Sequence, residues 1–112
     1  MDLEVSVKGL ELNETLRNVV VRQVRAAVER FGDRVNRVQV RFIDLNGPRG
    51  GIDTRCRIQA EVHPLGTVVV QDTHETAFQA IASAAEKFTR TTTRRLDRQR
   101  LRRSSTLEGT TV

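Results

Sequence analysis

The sequence predicts an α+β fold. It is a two-layer sandwich of order β-α-β-β-β-α, with a four-stranded sheet carrying two helices on one face, a topology like that of double-stranded-RNA-binding domains. Three observations predict it. Three short segments alternate apolar and polar residues with a period of two, and a fourth, TVVVQ, is a short apolar run. Two longer segments repeat apolar residues at helical spacing. No repeat or linker divides the 112 residues, a length suited to one domain.

Residues 3–9, LEVSVKG, set Leu3, Val5 and Val7 against Glu4, Ser6 and Lys8, a half-buried strand ended by Gly9. Asn13 is the expected N-cap of a helix running to about Phe31, with Leu16, Val20, Val24, Ala27, Val28 and Phe31 as its stripe. Gly32 stops it. Residues 35–46 alternate again, Val38, Val40 and Phe42 on one face and Arg37, Gln39 and Arg41 on the other. After the loop GPRGGID, Cys56, Ile58, Ala60 and Val62 point inward while Arg55, Arg57, Gln59, Glu61 and His63 point outward. HPLG predicts a tight turn and TVVVQ a fourth strand. The first strand–helix–strand crossover is expected to be right-handed, compatible with a parallel pair.

The second helix is expected to start near His74, capped by Thr73 or Asp72. At 100° per residue from Phe78, the residues Ile81, Ala85, Phe88, Thr92 and Leu96 fall within about 80°, a core stripe. Lys87, Arg90, Arg94 and Arg98 fall at about 120° to 200°, forming a ridge that faces away from the core, with Arg95 beside it. Beyond Arg98 the periodicity fades. Residues 1–100 therefore read as the domain, and 101–112 as a flexible C-terminal tail.

Charge sharpens this picture. Residues 1–86 carry 11 Lys+Arg and 12 Asp+Glu, a net −1, whereas residues 87–112 carry 8 and 2, a net +6, together giving the +5 of the chain. Such asymmetry suggests a polyanionic partner, nucleic acid before membrane. Arginine supplies 17 of the 19 cations, and its planar fork suits phosphate. A solvated helix face normally interleaves acids at i,i+4; around the ridge only Glu86 and Asp97 are at hand. On the first helix Arg22 and Arg25 lie opposite the apolar stripe, with Arg17 at its flank, and Glu29 is placed to pair with Arg25. If the two helices share a sheet face, Arg22, Arg25, Lys87, Arg90, Arg94 and Arg98 are expected to line one groove.

Other chemistries find little support. With no Trp or Tyr and four Phe, an aromatic platform for stacking bases is not available. There is no membrane-length apolar run and no signal-peptide pattern, and the single Cys56 fits a reducing, cytoplasmic setting. Cys56 reads as a buried small hydrophobe. His63 and His74 stand apart from it, so no catalytic residue, metal ligand, cofactor or small-molecule substrate is expected. GPRGG, residues 47–51, reads as a hairpin connection rather than a phosphate cradle, since it lacks the GxxxxGK[ST] pattern. Asp44 and Asp53 read as turn caps beside it.

VKGLELNETLR (7–17), HETAFQAIASAAEKFTR (74–90) and the β-α-β-β-β-α order resemble the ribosome hibernation-promoting factor family, also called ribosome-associated inhibitor or sigma-factor modulation proteins. The most specific parts are a strand ending in Lys8 with eight residues between it and Arg17, and H-E-x-x-aromatic-x-A-I followed by Lys87-x-x-Arg90. The resemblance spans about residues 3–98. It implies binding to the small ribosomal subunit and its rRNA in the mRNA and tRNA channel, blocking translation in stress or stationary phase, with other hibernation factors as further partners. By position Lys8, Arg17, Lys87, Arg90 and Arg94 match the family's basic positions, while Arg22 and Arg25 are displaced by one. Phe78 replaces the family's usual Tyr, and by length the chain looks like a short form. A general double-stranded RNA-binding module and a protein-binding transcription regulator are the alternative readings.

Overall fold

Alternation along each strand decides which sheet face is covered, and the helices supply the cover. The computed structural model describes residues 1–45 and 53–110, the last eight through their backbone alone. Its elements are β1 (Asp2–Lys8), α1 (Glu14–Glu29), a 3₁₀ turn (Gly32–Arg34), β2 (Val35–Asp44), β3 (Thr54–Val62), β4 (Gly66–His74) and α2 (Ala77–Thr110). The sheet order is β1-β2-β3-β4, with β1 parallel to β2 and the other pairs antiparallel. The predicted fold class and element order are therefore observed. The GPRGG loop lies outside the described residues; at its base the Leu45 N–H donates to the Asp53 carbonyl at 3.1 Å.

Inward residues of the strands, Val38, Val40, Phe42, Cys56, Ile58, Ala60, Val62, Val68 and Val70, are buried with Leu16, Val20 and Val24 of α1 and Ala80, Ile81, Ala84, Ala85 and Phe88 of α2. Three alanines in the first turns of α2 let its backbone lie close to the sheet. Phe31, following α1, meets Phe88 edge-to-face with ring centroids 6.0 Å apart, a pairing worth about 1 kcal/mol beyond its area. It locks the end of one helix against the middle of the other. Asn13 caps α1 as expected, its side chain accepting the Leu16 N–H at 2.8 Å. Gly9 has φ +80, and a Cβ there would stand 3.1 Å from the Asp44 Cβ, so the turn out of β1 needs glycine on both counts.

Three expectations about α2 are corrected. β4 continues to His74, because Asp72 and His74 keep the inward alternation, and the helix cap is Thr76, whose Oγ1 accepts the Gln79 N–H at 3.1 Å. Phe78 does not anchor the stripe. It is 44% exposed, being one residue into the helix and about 60° around from Ile81, at the rim of the buried sector. The third concerns residues 101–112, expected as a loose end: helical backbone runs on to Thr110. Leu, Arg, Ser and Glu in this stretch include good helix formers, and no proline interrupts them.

A polar clasp joins α2 to the sheet. The Ser83 hydroxyl donates to the Asp72 carboxylate, and the Lys87 ammonium donates to the Gln71 carbonyl at 3.2 Å. The Ser83 bond above all holds the Asp72 carboxyl below the usual carboxylate range; partial desolvation opposes this, and the Thr73 amide, His74 and Lys87 assist it. A depressed folded pKa stabilises the protein above the ordinary aspartate value, and that contribution is lost as pH falls through the folded one. Ser83→Ala or Asp72→Asn should therefore lower the melting temperature at neutral pH and flatten its decline below about pH 4. An unaltered acid limb in both variants would contradict the clasp. Thr92 is fully buried and its hydroxyl has no partner among the described residues. Thr92→Val should stabilise the fold by about 1 kcal/mol in urea denaturation, since the orphaned hydroxyl is replaced by a methyl of similar shape.

Candidate nucleic-acid interface

The cationic ridge of α2 follows from its anchoring. With Ile81, Ala84, Ala85, Phe88 and Thr92 turned to the core, Lys87, Arg90, Arg94 and Arg98 are exposed. Successive members are three or four residues apart, about 4.5 to 6 Å along the axis. α1 packs beside α2 on the same sheet face. Between the far end of α1 and the second half of α2 lies a shallow groove of about 550 Å³, lined by Arg30, Arg90, Arg94 and Arg98 with Thr89, Thr93, Asp97 and Leu101. No ion pair engages any of these four arginines among the described residues. Asp97 is the one acid of the lining. Four guanidinium forks lining one groove without carboxylate partners among the described residues are an arrangement suited to phosphate oxygens, which accept paired N–H bonds from arginine.

Arg30 was not among the sequence-predicted residues, nor was Arg34, which joins Arg30, Phe31 and Pro64 in an adjoining hollow. Arg30 is the C-cap of α1. A cation at a helix C-terminus suits the dipole, so its position alone would be explained by α1 stability; only the contact between the helices places it in the groove.

The predicted residues do not all gather. Lys8 ends β1, level with Ile43, Arg55 and Thr73, whereas the β3–β4 hairpin closes at Val62 and Gly66 at the other end of the sheet. Lys8 and Arg17 stand towards the first end; Arg94 and Arg98 stand towards the second, where Arg98 adjoins Pro64 and Leu65. Lys87 leans on β4 through its bond to Gln71. Arg22 and Arg25 are exposed on α1 but do not line the groove, and neither is in an ion pair among the described residues. The single groove expected from Arg22, Arg25 and the α2 ridge is thus replaced by one that Arg30 completes. Arg95 departs most clearly. It lies about 40° from Ile81 around the helix, so it is half-buried over the hairpin with Pro64, Leu65 and Gln99 rather than on the ridge.

Cys56 is fully buried, and burial, with a smaller push from Asp72, raises its thiol to about 12, so it stays protonated at neutral pH. Among the described residues no cluster of His, Cys, Asp and Glu has the geometry to hold a metal ion. No described helix is long and apolar enough to cross a membrane.

Solved structures share this fold. A ribosomal subunit interface protein from Coxiella burnetii superposes with a TM-score of 0.71 at 11% identity, over 87% of this chain and 99% of that one. The Protein Y N-terminal domain of Thermus thermophilus superposes with a TM-score of 0.67 at 21% identity, over 84% and 98%. No curated protein matches the sequence. Residues 3–100 match the family described as Sigma 54 modulation protein / S30EA ribosomal protein, and the chain belongs to that family.

Proposed function

We propose that this protein is a ribosome-associated translation inhibitor that binds rRNA of the small ribosomal subunit in the mRNA and tRNA channel during stress or stationary phase. The observation that carries the reading is the unpaired arginine groove of Arg30, Arg90, Arg94 and Arg98 on a family member of this fold. Its geometry supports the reading in a direct way. The ridge is held on a helix anchored by the core, so the ordering cost of presenting four long side chains in one direction is met largely by folding rather than by binding. Neutralised rRNA phosphates release counterions, which supplies affinity, while the folded body supplies the block. The action is occupancy rather than turnover. Its partners are the small subunit and its rRNA, together with other hibernation factors, and its place of work is the cytoplasm, where ribosomes are.

Lys8, Arg17, Lys87, Arg22 and Arg25 serve in this reading as flanking phosphate contacts at the other end and along the helices. Arg95, packed over the hairpin, contributes long-range charge more than direct contact.

Replacing Arg90, Arg94 and Arg98 with Glu should abolish co-sedimentation with small subunits while the circular dichroism spectrum stays native; retained pelleting would reject the groove as the main contact. For the wild-type protein, log K should fall with log salt at a slope of about −4 to −5 if roughly six phosphates are neutralised. A slope shallower than about −2 would exclude this mode of binding.

A further inference from the structure

No described element covers the outer face of the sheet, and its strand register sorts its side chains into rows. One row is Lys8, Ile43, Arg55 and Thr73, and the next is Ser6, Arg41, Arg57 and Gln71. These eight positions hold four cations and no acid. The two remaining rows, Glu4, Gln39, Gln59, Val69 and Asp2, Arg37, Glu61, Thr67, hold three acids and one arginine. The acidic half is engaged through Glu4, which accepts from Gln39 at 3.3 Å and lies 3.9 Å from Arg37.

The basic half is not. Arg41 stands directly across from Arg57 on the antiparallel β2–β3 pair, an arrangement of like charges that destabilises a sheet. No side-chain hydrogen bond or ion pair engages Lys8, Arg41, Arg55 or Arg57 among the described residues. From strand and row spacings the four cations occupy a patch of about 10 by 7 Å. Arg41 and Arg57 also border a hollow of about 240 Å³ lined by Glu4, Ser6, Gln39 and Gln59, where Glu4 is taken up by Gln39 and Ser6 and Gln59 add hydroxyl and amide donors beside the guanidinium forks. Folding alone gives no reason to set two arginines opposite each other; a bound polyanion removes the repulsion.

We propose that this patch, centred on Arg41 and Arg57, is a second RNA-backbone-binding surface, so that the domain bridges two RNA segments, one on the helix groove and one on the open sheet. An RNA backbone is the occupant that fits. The patch offers forks and neutral donors for phosphate oxygens and hydroxyls, while the acidic half beside it disfavours a continuous anionic lipid surface. The inference rests on reading the protein as an RNA binder.

The test uses the full chain and two RNA duplexes of about 20 base pairs, one immobilised and one fluorescent, long enough to span either face. Wild-type protein held on the first duplex should capture the second. Arg41→Gln with Arg57→Gln should cut that capture at least about tenfold, while affinity for a single duplex stays within about threefold because the helix groove is intact. Its melting temperature should be unchanged or raised, since a like-charge pair is relieved. Arg90→Glu with Arg94→Glu should instead weaken the first binding event. Undiminished capture by the Arg41/Arg57 variant overturns the bridge. So does a wild-type protein that binds one duplex and never a second, or a patch that takes anionic vesicles in place of RNA; in these cases the arginine groove still stands. A wild-type protein that binds no RNA at all removes both readings.

Discussion

The fit of α2 against the sheet is the constraint on which everything else depends. Ala80, Ala84 and Ala85 keep the helix close, Ile81 and Phe88 fill the interior, and Phe31 at the end of α1 clamps Phe88 from the side. A helix docked in this way has no rotational freedom. Arg90, Arg94 and Arg98 must therefore face outward together, and the unfavourable like charge they create is tolerated because burial of the opposite stripe far outweighs it. The polar clasp of Asp72 and Ser83 fixes where along β4 the helix begins, and so fixes how far down the sheet each arginine falls.

That axial register matters as much as the rotation. α1 and α2 both start from the end of the sheet where β1 and β4 finish, so they descend side by side, and the last turn of α1 meets the middle of α2. Arg30 consequently enters the groove of Arg90, Arg94 and Arg98, although it is sixty positions away from the first of them. The apolar contacts and the cationic site are built by the same juxtaposition: Phe31 faces in and Arg30, one residue earlier, faces the groove.

Most of the architecture was legible because it rests on local patterns. Period-two alternation marks β1, β2 and β3, the run of valines marks β4, and Asn13 with the Leu16, Val20, Val24 stripe marks α1. The misreadings share a cause, which is that position in the layer cannot be seen from periodicity. Phe78 looked like an anchor because a phenylalanine outweighs alanines on any hydropathy scale, yet the first turn of α2 lies at the rim where only the alanines meet the sheet. Arg95 was grouped with its charged neighbours, although its angle puts it on the core side, where the helix has run past the strands and overlies the hairpin. Arg30 and Arg34 carried no signal of their own, since cations at a helix end serve the helix dipole equally well. The rows of the outer sheet face became readable only once strand register was known, because a one-residue slip would exchange every neighbour across the sheet.

The central claim is that α2 and the end of α1 present one preorganised arginine surface to the RNA of the ribosome. Arginine-selective chemical modification of the free and ribosome-bound protein, read residue by residue by mass spectrometry, measures that surface most directly. The account predicts that Arg30, Arg90, Arg94 and Arg98 lose reactivity together on binding. Ribosome-bound protein in which these four remain as reactive as in the free chain would contradict it.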